Sequence, residues 1–118
     1  MENKLTDLTF LRGLTGNDNV KVSKYINMFL KATPDMLNNI DKAFDEKDYE
    51  TLRVTAHSLK PQLSYMGVKS LEETIKNIEF NAGHHLNLEA MPELITLLKA
   101  ECSKVITELQ EELKTLNP

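Results

Sequence analysis

The sequence predicts an all-α protein, an up-and-down antiparallel four-helix bundle with a short N-terminal capping helix. Two observations point there. Apolar residues recur at spacings of three and four along most of the 118 residues, and only four glycines and four prolines interrupt them. No stretch alternates β-branched and polar residues between turn signals, so a sheet has no support. Short connections between the helices favour antiparallel neighbours. The length suits one core, so a single domain over residues 1–118 is expected.

Each element has its own signals. Leu8, Leu11 and Leu14 recur at threefold spacing, predicting a first helix over residues 7–14 that Gly16 stops. Asn17 and Asp18 offer caps for a second helix with an apolar stripe of Val22, Ile26, Phe29 and Leu30. Pro34 is expected to interrupt it, with Thr33 capping a resumption that buries Leu37, Ile40 and Phe44. Asp48 caps a third, central helix, in which Leu52, Ala56, Leu59, Leu63 and Met66 form the buried face and Gly67 ends the run. Ser70 starts or joins a fourth helix, lined by Leu71, Ile75 and Ile78 and expected to stop near Gly83, before a loop GHHLN. The last helix begins between Asn87 and Pro92 and keeps its stripe from Leu94 and Ile95 to Leu113 and Leu116. About 25 residues at about 1.5 Å each make a rod of about 40 Å that can brace the bundle.

Composition narrows the function. No apolar run approaches the roughly 18 residues of a membrane span, and MENKLTDLTF lacks the basic and apolar regions of a secretory signal, so a cytoplasmic protein without membrane contact is expected. The net charge is −4 and the 14 Lys and Arg are dispersed, which disfavours nucleic acid and leaves protein as the expected partner. The single cysteine, Cys102, sits on an apolar face and reads as a small buried hydrophobe.

The chemistry concentrates in residues 55–64, TAHSLKPQLS. With successive residues about 100° apart, Arg53, His57, Lys60 and Ser64 share an outer flank beside the buried stripe. An exposed imidazole has a pKa near 6.5, so its neutral, nucleophilic form is abundant at cellular pH. Lys60 and Arg53 disfavour a further positive charge on the ring and could pair with a dianion attached to it. By spacing alone the pair is most simply a solvated face. Val54 and Pro61, projecting away from the core, add an apolar patch on which a macromolecule could dock.

The run AHSLKPQLSYMGVKSL resembles the signature of histidine-containing phosphotransfer (HPt) domains: Ala56 before His57, Lys60 three later, Gly67 ten after the histidine and Leu71 four beyond that. The resemblance implies a helical bundle along nearly the whole chain, His57 as phospho-acceptor, Lys60 as the cation beside the phosphoryl group and Gly67 as a close-packed helix terminus. The chain departs from the family where Pro61 replaces the glycine that usually follows the lysine. No Walker loop, kinase glycine loop or magnesium-binding acidic cluster is evident. The expectation is therefore a phosphocarrier, not an enzyme, without a cofactor of its own. A receiver domain would supply the aspartate and a divalent metal. The expected partners are response-regulator receiver domains and a hybrid histidine kinase, engaged by a monomer.

Other readings compete. His84 and His85 with His57 suggest a metal site, but adjacent side chains diverge and no cysteine or carboxylate has ligand spacing, so no metal ligands are expected. The acidic pairs Glu72 with Glu73 and Glu111 with Glu112 read as solvated helix surface, and the five methionines as core filler, with Met28 or Met36 able to border a docking face. The main functional alternative is a helical adaptor that binds a signalling partner through the Val54 and Pro61 patch without carrying phosphate. The ends, Met1 and Asn117 with Pro118, fit a free-standing protein and an excised kinase domain equally.

Overall fold

The structure, a computed structural model, describes residues 4–116. Five helices follow one another: α1 (Thr9–Leu14), α2 (Asn19–Asp45), α3 (Tyr49–Tyr65), α4 (Glu72–His84) and α5 (Met91–Leu116), with single 3-10 turns at Lys69–Leu71 and Leu88–Ala90. The described residues contain no strand. Each of the four longer helices packs on two others, α3 against α2 and α4, and α5 against α2 and α4, which closes a four-helix bundle. Their apolar stripes meet at Phe29, Leu52, Leu59, Ile78, Leu98 and Leu109, all fully buried. Burying each such side chain is worth about 1.5 to 3 kcal/mol, so the stripes bring the helices together. No helix among the described residues is long and apolar enough to cross a membrane.

Asp18 caps α2 through the N–H groups of Val20 and Lys21, and Asp48 caps α3 through that of Thr51. Asn17 is not a cap. It lies with Gly16 in the left-handed region that turns the chain between α1 and α2.

Pro34 does not divide the second helix. Asn19–Asp45 is continuous, and Thr33, rather than capping a restart, lies inside it with a buried hydroxyl that has no hydrogen-bond partner. A proline within a helix costs about 3 kcal/mol through its missing N–H and its crowded ring. Pro34 itself is exposed, whereas Phe29 before it and Leu37 and Ile40 after it are buried on one face. The packing on both sides offsets the break. Pro61 is carried the same way, and α3 runs through it to Tyr65, with Met66 as the cap.

The ends of α3 and α4 differ in kind. Gly67 has φ +66 and terminates the turn after α3 as expected. α4 ends at His84, beside Gly83 as expected, but the left-handed residue that closes it is His85, with φ 54. Gly83 is instead a notch: a Cβ there would meet Cδ of Arg53 at 3.0 Å. The first helix is shorter than expected because Asp7 stays outside it, its carboxylate accepting the N–H of Thr9 at 3.0 Å. Leu11 is buried while Leu14 is half exposed. Residues 5–7 form a strap across the bundle end. The carboxylate of Glu108 on α5 accepts the N–H groups of Leu5 and Thr6 and the hydroxyl of Thr6 at 2.9 to 3.1 Å, and the N–H of Asp7 donates to the carbonyl of Met66 at 3.0 Å. Cys102 is fully buried, as its position on the apolar face of α5 predicts.

Candidate functional site

His57 lies midway along α3, between the buried Ala56 and Leu59, with its side chain 65% exposed. Its neighbour in space comes from α4. Nδ1 of His57 is 2.6 Å from Oε2 of Glu79, and the other carboxylate oxygen accepts a hydrogen bond from Nζ of Lys60 at 2.7 Å. One carboxylate therefore holds both the imidazole and the ammonium, and its own side chain is only 19% exposed. The lysine, followed by the histidine, holds the Glu79 carboxyl below its ordinary value of 4.5, against a partial burial that acts the other way.

An ionised carboxylate can only accept, so the short contact places the proton of the neutral imidazole on Nδ1. Nε2 then carries the lone pair. The chemical capacity of the arrangement is a nucleophilic nitrogen with a fixed tautomer, and a cation close enough to reach an anion bound at that nitrogen.

Arg53 shares the flank but not the cluster. Its guanidinium pairs with Glu50 one turn earlier, and its aliphatic stem rests over Gly83. Ser64 and Pro61 are exposed one to two turns beyond His57, lining a shallow groove with Phe10, Lys60, Tyr65 and Ile75. Val54 is 47% exposed on the outer side of α3 and does not line the groove. Its place in the apolar surface is taken by Phe10 of α1, 58% exposed and stacked on Tyr65 with ring centroids 6.0 Å apart. Gly67 lies beneath the strap, where an added Cβ would meet the carbonyl oxygen of Asp7 at 2.1 Å. The other histidines are elsewhere: His84 packs on Phe80 with centroids 4.2 Å apart, and His85 meets the edge of Tyr49 at 5.1 Å. Of the methionines, Met66 and Met91 are core residues and Met28 is half exposed on α2, away from the groove.

The sequence reading missed Glu79 and Phe10. A signal for Glu79 existed. It follows Val68 by eleven residues (79 − 68) as His57 precedes it by eleven (68 − 57), so an antiparallel hairpin turning at Gly67 and Val68 brings them opposite one another.

Comparison with known proteins shows the family and the fold. The sequence model of the Hpt domain matches residues 24–117, most of the chain and all of the site except Phe10. The chain belongs to the Hpt domain family. The crystal structure of histidine-containing phosphotransfer protein B from Pseudomonas aeruginosa PAO1 is similar to this Hpt domain with a TM-score of 0.86, at 24% identity, over 97% of this chain and 98% of that one. That likeness establishes the fold. No curated protein sequence matches the chain significantly.

Proposed function

We propose that this Hpt domain is a phosphorelay intermediate that accepts a phosphoryl group on Nε2 of His57 from the phospho-aspartate of one receiver domain and passes it to the aspartate of another. The observation that carries this reading is the Glu79 bridge, which exposes one nitrogen of His57 as a nucleophile and keeps Lys60 at its side. In the forward step the lone pair of Nε2 attacks phosphorus, the bond to the aspartyl oxygen breaks, and that oxygen leaves as a carboxylate. The proton on Nδ1 stays in place. The phosphorylated ring gains positive character, which the Glu79 carboxylate offsets, while Lys60 can swing from Glu79 to the phosphoryl oxygens. Phosphoryl transfer has a loose transition state governed by positioning and charge. The receiver would bring the acidic pocket and its divalent metal, and a hybrid histidine kinase would stand upstream.

The test is to charge purified receiver domains with acetyl phosphate and incubate them with this protein. An acid-labile, base-stable label is expected on the wild type and absent from His57→Gln, whose fold should be unchanged because an exposed side chain contributes little to stability. Lys60→Ala should take label more slowly. Label that persists on His57→Gln would overturn the assignment of His57. Receiver binding without any label would favour an adaptor.

A further inference from the structure

The Glu79 bridge accounts for His57 and Lys60 but leaves Phe10 unexplained. More than half of this large aromatic ring is exposed, on a helix of six residues that has little burial of its own beyond Leu11. α1 is tied down by the segment before it and by its own Arg12, which pairs with Glu112 of α5 at 3.8 Å. The carboxylate of Glu108 collects the N–H groups of Leu5 and Thr6 and the hydroxyl of Thr6, Asp7 donates to Met66, and Gly67 lacks the Cβ that would expel the Asp7 carbonyl. These contacts fix the start of α1 against the C-terminal end of α3. The ring of Phe10 then stacks on Tyr65, whose other neighbour is Tyr25 of α2, and becomes one wall of the groove that contains His57 and Lys60.

We infer that Phe10 is part of the surface a receiver domain covers, and that the strap of residues 5–7, pinned by Glu108, keeps it there. This rests on the relay reading. A protein that brings an aspartate into bonding distance of Nε2 must cover the surface around it, and a specific interface occupies about 800 Å² on each partner. A groove that already includes the reactive ring falls inside such a footprint. The groove suits a protein surface: an apolar floor of Phe10, Pro61 and Ile75 is edged by the charged Lys60, Glu72 and Lys76, the apolar centre and polar rim of a protein interface. Phe10 has no polar or titratable group to offer the reaction, so its part is affinity and not chemistry. Glu108 acts only through the strap and is a positioning residue.

The experiment measures phosphotransfer from a receiver domain charged with acetyl phosphate, as a function of receiver concentration, for wild type, Phe10→Ala, Glu108→Ala and Glu108→Gln. Phe10→Ala should raise the half-saturating receiver concentration about tenfold, with the saturating rate within about twofold of wild type. Glu108→Ala should raise the same concentration at least about threefold, and Glu108→Gln, which keeps one carbonyl acceptor for the strap, should fall between it and wild type. Thermal melts monitored at α-helical wavelengths check that the bundle persists; Glu108→Gln serves alone if Glu108→Ala does not fold. An unchanged half-saturating concentration for Phe10→Ala, with wild type labelled normally, overturns this inference and leaves the relay standing. A shift for Phe10→Ala but not for the Glu108 variants overturns the part played by the strap. A wild type that takes label from no receiver overturns the relay and this inference together.

Discussion

Glu79 and His57 are 22 residues apart in the chain and 2.6 Å apart in space, and the carboxylate that receives Nδ1 of His57 also receives Lys60. Removing it releases both partners. In Glu79→Ala the imidazole should lose its tautomer preference, seen as a change in its ring ¹⁵N chemical shifts, and transfer should slow about tenfold, the scale of one hydrogen bond to a charged group. Unchanged ring shifts would contradict the tautomer assignment.

The same carboxylate carries a pH dependence. Its folded-state pKa is held below the ordinary value of 4.5 by Lys60 and then His57, so its contribution to stability is present above about 4.5 and is lost as pH falls through the lowered value. The stability difference between wild type and Glu79→Ala, from urea unfolding, should be largest above pH 4.5 and shrink on acidification. A difference that grows as pH falls below 4.5 would reverse the sign and exclude the bridge as its source.

Gly67→Ala should be costly for two separate reasons. The residue has φ +66, and the added methyl group would meet the Asp7 carbonyl at 2.1 Å, backbone that cannot rotate away. Left-handed strain and overlap together should lower stability by about 3 kcal/mol or more, or drive the strap off the bundle. A urea midpoint equal to wild type would show that neither constraint holds.

Pro61→Gly tests the departure from the family signature. Proline removes the N–H that would bond the carbonyl of His57, and glycine restores it while loosening the unfolded chain, so the change in stability can take either sign. Transfer to His57 should persist, with the main change in the half-saturating concentration of particular receivers. Loss of transfer in a folded Pro61→Gly protein would mean that the proline shapes the nucleophile itself.

Cys102 should be chemically silent. Burial pushes its thiol up to about 12, so almost no thiolate exists near neutral pH. Alkylation by iodoacetamide at pH 8 should proceed at the rate of unfolding and become fast in urea. Rapid labelling of the native protein would place the thiol outside the core.

The bundle was legible because periodicity is local. Leu52, Ala56, Leu59, Leu63 and Met66 fall on one face whatever surrounds them, and all five are buried. His57 and Lys60 were legible for the same reason, as residues one turn apart on an adjoining flank. Glu79 was not, because a charged residue on an amphipathic helix is usually solvated, and only the register of α3 on α4 turns it inward. Pro34 misled, whereas α4 ends beside Gly83 as expected. A proline is a local breaker, and packing overrode it: Leu37 and Ile40 hold the helix beyond Pro34. Phe10 escaped notice because its exposure depends on a strap tied to a residue about a hundred positions away.

That separation has a consequence for the order in which the molecule opens. The strap reaches across 103 positions from Leu5 to Glu108 and is held by a few hydrogen bonds, to that carboxylate and to the Met66 carbonyl, and by one partly buried side chain, Leu5, whereas the pairing of α3 with α4 closes across a short turn and is held by many buried side chains. The strap is thus the cheapest element to detach and among the last to close, since loop entropy must be spent before its few bonds are made. In native-state hydrogen exchange the amides of Leu5 and Thr6 should trade protons through a small, denaturant-insensitive fluctuation, while those of Leu59 and Ile78 wait for global unfolding.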